Sequence, residues 1–204
     1  AYVFIRDAAT GTWSEQARLT ASDGVAGDFF GRSVSIGGGF VAVGAPSRNN
    51  ARGAVYVFVR NPVLGAWDEQ AIIPNNDLGR SNFGRSVSLD GASLLIGVPI
   101  ETNGPGSAHL YDFNPATTTW ELVDVFVPGD SNVPVNDDDF GLSVSLSGGT
   151  ALVGAPDHDH GVNRSGSAYS FRGFETQITQ FVLGVDSSVD ALYEIDLSDC
   201  QTSL

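Results

Sequence analysis

The residues best able to do chemistry in this chain are carboxylates gathered at three places. Asp137, Asp138 and Asp139 run into one strand, Asp157-His158-Asp159-His160 leaves the next, and Asp23 and Asp28 bracket a Gly-Val-Ala-Gly loop. If Ser147-Gly148-Gly149-Thr150 closes a hairpin, Asp139 and Asp157 meet at its open end. Carboxylates this close repel one another unless solvent, salt or a cation screens them. Oxygen-rich loops suit calcium, whereas two histidines would suit zinc. Asp137, Asp139, Asp157 and Asp159 are therefore candidate metal ligands, with Asp23 and Asp28 a sparser second set. A solvated acidic loop that needs no cation is the alternative, and the residues leave both open. Catalysis has less to draw on. The chain holds three histidines (His109, His158 and His160) and no Ser or Cys nucleophile in a recognisable setting. Paired carboxylates alone do not separate a glycosidase from an acidic surface.

The charge balance narrows the partners. A net charge of −14 over 204 residues leaves nothing to neutralise a phosphate backbone, which argues against nucleic acid. All ten basic residues are arginine and 18 of the 24 acids are aspartate, a bias that fits a salty or calcium-rich exterior and equally a lineage composition. No apolar run approaches the ~18 residues of a membrane helix, so no membrane insertion is expected from this segment. Cys200 is the only cysteine, so no disulfide closes within the chain, and Asn163-Arg164-Ser165 forms a glycosylation sequon. Ala1-Tyr2-Val3-Phe4 already reads as strand, which predicts a beginning inside a longer polypeptide.

The elements that must position these groups repeat. Phe-Gly-x-Ser-Val-Ser occurs at Phe30, Phe83 and Phe140, and 14 residues after each Phe comes Gly44-Ala45-Pro46, Gly97-Val98-Pro99 or Gly154-Ala155-Pro156. A period of 53 to 57 residues marks a repeat architecture whose units bury their apolar faces against neighbours. Within a unit the pattern is four short strands. Gly84–Leu89 alternates small polar and larger residues, Asp90-Gly91 signals a hairpin, and Ser93–Gly97 returns as a buried strand. A β-branched and aromatic run such as Gly53–Val59 makes the third, and a segment from Trp67 through Ile73 the fourth. No helical period is evident before residue 172. Four antiparallel strands per ~50 residues is the plan of a propeller blade.

The Phe-Gly and Gly-Ala-Pro residues resemble the FG-GAP repeats of integrin α-subunit propellers. They are still more similar to FG-GAP repeats of bacterial and algal surface proteins, through Tyr2-Val3-Phe4, Trp13 and Glu15-Gln16, then Tyr56-Val57-Phe58, Trp67 and Glu69-Gln70. The resemblance covers roughly residues 1 to 172. It implies an all-β fold: a β-propeller of four-stranded antiparallel blades, here an incomplete fragment of a larger propeller. The expected layout is a partial blade at 1–20 and blades at about 30–80, 83–127 and 140–184. Residues 185–204 would then be a cap, a linker or the start of another domain. The calcium loop of integrin repeats would lie between strands one and two, where this chain has tight turns such as Leu89-Asp90-Gly91-Ala92, so those sites do not transfer.

Most motif residues read as architecture. Phe30, Phe83 and Phe140 are expected to pack between blades, and Trp13, Trp67 and Trp120 to pack on outer strands, with a sugar-stacking platform the alternative for the tryptophans. Loop lengths say where function sits. Phe to Gly-Ala-Pro is always 14 residues, and Tyr2, Tyr56 or His109 to the following Trp always 11. Trp to the next Phe is 17, 16 and 20, and Pro to the third strand 10, 10 and 13. Strands alternate in direction, so both variable loops share one end of each blade, and insertions collected on one face often mark a binding face. Arg48, Asn49, Asp77, Glu101, Asn103, Asp138, His158 and His160 lie in those loops. The integrin resemblance implies ligand binding by the same loops. The expectation is a noncatalytic extracellular or cell-surface module that recognises protein or glycan, with calcium as an admissible cofactor. A structural spacer and a carbohydrate-active enzyme are the alternatives.

Overall fold

Valine-rich and aromatic runs broken by Gly, Pro and Asn turns favour extended backbone throughout, and the computed structural model is accordingly all-β. It describes residues 1–61, 63–76, 79–100, 104–129, 138–158 and 164–172, together with the strand backbone of 179–183. β1 (Tyr2–Arg6) and β2 (Trp13–Arg18) form a two-stranded sheet. Three four-stranded sheets follow, each an antiparallel meander. The first holds β3 (Ser33–Gly37), β4 (Phe40–Ala45), β5 (Ala54–Arg60) and β6 (Trp67–Pro74). The second holds β7 (Val87–Asp90), β8 (Ser93–Val98), β9 (Ser107–Asn114) and β10 (Thr119–Phe126). The third holds β11 (Ser143–Ser147), β12 (Thr150–Ala155), β13 (Ser167–Arg172) and β14 (Thr179–Leu183). These are blades of an incomplete β-propeller. One detail departs from the sequence reading, which expects no helix in this region. Arg48–Ala51 (α1) is a single turn, with Asn49 and Asn50 at φ 51° and 60°. Asn tolerates that left-handed region, so the turn is local chemistry, not a helical period.

The cores lie between sheets. Val55, Val57 and Ile73 of the first sheet bury with Phe83, Val87, Leu89, Leu94 and Ile96 of the second. Leu95, Ala108 and Leu110 of the second bury with Phe140, Leu146, Val153 and Tyr169 of the third. β8 therefore sends Leu94 and Ile96 to one neighbour and Leu95 to the other. A strand covered on both faces has no room for a polar alternation, which is why it reads as continuous apolar sequence.

Each motif residue has a place in this stacking. The residue pairs Phe30-Gly31, Phe83-Gly84 and Phe140-Gly141 form turns in which the glycine takes φ 95°, 84° and 92°. The residue two beyond each Phe donates its amide to the residue just before the Phe: Arg32 to Phe29, Arg85 to Asn82, and Leu142 to Asp139, at 2.9–3.0 Å. A positive φ at the third position of such a turn favours glycine. The Phe ring then lies edge-on to the third strand of its own blade. Ring centroids are 5.3 Å apart for Phe30–Tyr56, 5.7 Å for Phe83–His109 and 5.2 Å for Phe140–Tyr169. Edge-to-face pairs of this kind contribute about 0.5–1.5 kcal/mol beyond burial.

The serines and the second glycine join one blade to the next. Ser33 Oγ donates to the Gly84 carbonyl at 2.7 Å and Ser86 Oγ to the Gly141 carbonyl at 2.8 Å. Ser35 Oγ accepts the Leu89 amide and Ser88 Oγ the Leu146 amide, both at 2.9 Å. Parallel bridges Gly53–Phe83 and Gly106–Phe140 add backbone pairing at the same junctions. A Cβ placed on Gly44 would sit 2.0 Å from the Gly84 carbonyl oxygen, and one on Gly97 would sit 1.9 Å from that of Gly141. The Gly-Ala-Pro glycine thus faces the Phe-Gly glycine of the following blade.

The outer strands carry a second latch. In the hairpins β1–β2 and β5–β6 the register skips Gln16 and Gln70, which are bulged residues. A bulge re-aims its side chain. Trp67 Nε1 donates to Gln16 Oε1 at 3.1 Å, and Trp120 Nε1 to Gln70 Oε1 at 2.9 Å. Trp67 and Trp120 are outer-strand packing residues whose indole nitrogens are satisfied across the junction, whereas Trp13 is exposed.

Substitution at the glycine contact gives a graded test. Gly97→Ala forces two backbones apart and is expected to destabilise by about 3 kcal/mol. At Gly154 an added Cβ meets only Ser143, chiefly its mobile hydroxyl at 2.4 Å. Gly154→Ala should therefore cost less than half as much, read as the shift in urea midpoint at constant m-value.

Candidate functional site

With alternating strand direction, the β2–β3, β4–β5, β6–β7, β8–β9, β10–β11 and β12–β13 connections share one end of the stack. The residues singled out by sequence divide into three groups there. Asp77, Glu101, Asn103, Asp137, Asp159 and His160 lie outside the described residues, as do Asn163 and residues 185–204. The others are placed as follows.

Asp23 and Arg48 meet. The Arg48 guanidinium pairs with Asp23 Oδ2, Tyr56 Oη donates to Asp23 Oδ1 at 2.6 Å, and the guanidinium lies 5.9 Å from the centroid of the Tyr56 ring. The Tyr56 hydrogen bond, with help from Arg48, holds the Asp23 carboxyl below its ordinary range. Burial, then the bond to Asp23, pushes the Tyr56 phenol upward. Asp28 is buried elsewhere, accepting the Val25 amide at 3.0 Å. Asp23 thus has a protein cation and a phenol as partners, and Asp28 has a backbone amide. Asn49, next to Arg48, is exposed and left-handed.

The acidic corner of the third sheet is likewise provided with partners. Asp138 is buried and its Oδ2 lies 3.0 Å from Nδ1 of buried His158. The Asp157 amide donates to the Asp138 carbonyl at 3.3 Å, and Arg164 Nε approaches Asp157 Oδ2 at 3.9 Å. Asp139 is left-handed at φ 52° and half-buried. Among the described residues no three His, Cys, Asp or Glu side chains converge on one point.

Aligning the three blades on the motif Phe explains the buried acids. The residue two before Phe is Asp28, Ser81 or Asp138, and all three are buried. Each carbonyl accepts the amide just after the Gly-(Ala/Val)-Pro proline: Ser47 to Asp28, Ile100 to Ser81, Asp157 to Asp138, at 3.2–3.3 Å. Ser81 was not singled out by sequence, because a serine hides the equivalence that two aspartates suggest. Its hydroxyl donates to the Arg52 carbonyl at 2.8 Å. This position staples the two variable loops of a blade together.

The adjoining positions open a concavity. The residues one before Phe (Phe29, Asn82 and Asp139) and two after it (Arg32, Arg85 and Leu142) line a space of about 420 Å³. All three preceding residues are left-handed, at φ 56°, 53° and 52°. Asn and Asp adopt that region readily, whereas an exposed phenylalanine there is an outlier. Backbone strain at a cavity wall is a pointer to use. The sequence signal for Arg32 and Arg85 is the one free letter inside the motif, the x of Phe-Gly-x-Ser.

Comparison with known families agrees with this geometry. The FG-GAP repeat family model matches residues 13–58 and 120–171. Each match runs from a fourth-strand tryptophan, through the Phe-Gly turn, to the third-strand ring on which the Phe packs. The chain is an FG-GAP repeat protein. The FG-GAP unit so matched is a blade junction, not a closed sheet, and the copy between the two matches is joined to both, by Trp67 to Gln16, Trp120 to Gln70 and Ser86 to the Gly141 carbonyl. A search of curated proteins returns no match. Among the described residues no helix of this FG-GAP protein is long and apolar enough to cross a membrane.

The loop clamp around Asp23 should show in acid. Because the folded carboxyl is depressed below its ordinary 3.8, its contribution is complete above that pH and is lost as pH falls through the lower folded value. Thermal midpoints of Asp23→Asn and the parent chain, compared from pH 7 downward, should differ most at neutral pH and converge in acid.

Proposed function

We propose that this chain is a noncatalytic binding module of an extracellular or cell-surface protein, and that it receives its ligand on the variable end of the blades. The single observation behind this reading is the concavity of about 420 Å³ that all three motif copies line with the same two positions. A scaffold whose inner contacts are fixed by glycine and serine frees those positions from structural duty, and two of them are arginine. Pro46, Pro99 and Ile100 supply apolar wall beside the guanidinium groups of Arg32 and Arg85. Concave apolar surface with a few convergent polar groups is the usual form of a ligand site. Asp139 lines the same space and offsets one of the two positive charges. A ligand offering an anionic group next to an apolar one suits that wall, whether the group belongs to a protein side chain or to an acidic glycan. The extracellular setting is supported by family membership, since repeats of this type characterise adhesion proteins.

Arrays of glycans and of peptides, probed with the chain and with an Arg32→Ala/Arg85→Ala variant, test this reading. Retained ligands are expected to be acidic. The double variant should lose at least about tenfold in affinity, the scale of one charge-assisted contact. Arg60→Ala, on β5 near the constant end, should bind as the parent does. No retained ligand, or ligands indifferent to both arginines, would favour the structural-spacer alternative.

A further inference from the structure

A second concavity lies at the same end of the stack. It has a volume of about 400 Å³ and is lined by Asn49, Asn50 and Arg52 of the β4–β5 loop and by Gly79 and Arg80 of the β6–β7 loop. Its wall is strained, because Asn49, Asn50 and Ala51 are left-handed in succession, at φ 51°, 60° and 66°. Asparagine accepts that region, but a buried alanine does so at a cost. Hydrogen bonds between the two loops hold the strain in place. The Ala51 carbonyl accepts the Ser81 and Asn82 amides at 2.9 and 3.0 Å, and the Arg52 carbonyl accepts the Phe83 amide at 3.2 Å. Arg52 and Arg80 therefore share a cavity whose two loops are already fixed to each other.

Charge pairing sets these arginines apart. With 24 acids against ten arginines, a carboxylate partner is the ordinary expectation for an arginine in this chain. Arg48 has Asp23, and Arg164 has Asp157. Among the described residues no carboxylate pairs with Arg52 or Arg80, nor with Arg32 or Arg85 of the first concavity. The two concavities adjoin on both loops: Ser47 and Asn82 line the first, Asn49 and Arg80 the second. Two residues separate the members on each loop, a span of at most about 7 Å of chain.

We propose that Arg52 and Arg80 form a second anion subsite, and that the ligand is an acidic glycan whose charged sugars occupy both concavities. This rests on the binding role proposed for the first concavity. A guanidinium matches a carboxylate or sulfate with parallel N–H donors. Asn49, Asn50 and Asn82 supply amides that both donate and accept, as the sugar hydroxyls between the charges require. Phe29 adds an exposed flat ring for the C–H face of a sugar. A net charge of −14 repels a densely charged strand, whereas a glycan spaces its charges one per sugar. An acidic peptide offers no row of hydroxyls for the three asparagines.

Oligomers of galacturonate and of sulfated galactose, from one sugar to six, titrated into the isotope-labelled chain and followed by NMR, test this. The hexamer of at least one series is expected to shift amides around both arginine pairs. It should bind at least about tenfold tighter per sugar than its monomer, the gain from joining two subsites. Arg52→Gln with Arg80→Gln should erase that gain and leave binding around Arg32 and Arg85 in place. Arg52→Lys with Arg80→Lys, which keeps both charges, should restore part of it. Binding confined to the Arg32 and Arg85 loops, or a length gain that survives the glutamine pair, would overturn this inference and leave the role of the first concavity intact. Oligo-aspartate of equal length binding as tightly would overturn it in favour of an acidic peptide. No shift at either arginine pair with any of these probes would overturn both readings.

Discussion

Successive blades of this molecule touch backbone to backbone, at a place where two glycines face each other. The carbonyl of the Phe-Gly glycine in one blade lies where a Cβ on the Gly-Ala-Pro glycine of the previous blade would have to be. Close approach there brings the Ser33 and Ser86 hydroxyls within reach of the same carbonyls, and it sets the depth to which β7 and β11 enter the preceding sheet. The cores between sheets are then determined. Val87 and Leu89, or Leu146, can be buried only if the first strands lie this near. The Phe turn serves the same contact from the other direction, because its positive-φ glycine presents the carbonyl and its Phe anchors the turn to the third strand.

A junction held this tightly at one register leaves the far end of each blade free to differ. The constant turns, such as Gly38-Gly39 and Gly148-Gly149, are short and meet the turn of the neighbouring blade, Gly148 donating its amide to Asp90 Oδ2 at 2.7 Å. The variable loops are tied back by one buried polar residue per blade, Asp28, Ser81 or Asp138, and by backbone bonds to the neighbouring blade such as those from the Ser81 and Asn82 amides to the Ala51 carbonyl. Division of labour within six residues of sequence results. Phe, Gly, Ser, Val and Ser make the scaffold, while the residue before Phe and the letter after Gly face outward into a shared concavity.

The fold was legible because its determinants are local and repeated. Phe-Gly spacing, the constant 14 and 11 residues, and the Trp and Gln positions recur in phase, and their contacts recur with them. The binding end was legible from loop lengths, but its chemistry was not. Asp138 and Asp28 read as surface acids when only their neighbours in sequence are considered. Their burial depends on His158 and the Val25 amide, supplied by the folded loop. Arg48 reads as a ligand-face residue, yet its partner Asp23 comes from a different loop, 25 residues earlier. Arg32 and Arg85 went unnoticed for the opposite reason: a motif recognised as scaffold draws attention away from its one variable letter.

Where the first and second sheets meet, the two latches differ greatly in thickness. On the inner strands the spacer is a glycine hydrogen, and on the outer strands it is an indole reaching a bulged glutamine. A blade is therefore a wedge, thin at one edge and thick at the other, and a stack of wedges curves. Curvature in such a stack is written in side-chain volume: the glycines set where the bend is pinned, and the tryptophans set how sharply each blade turns from the last. How many blades a ring of this repeat accommodates would follow from that taper, not from the length of any loop.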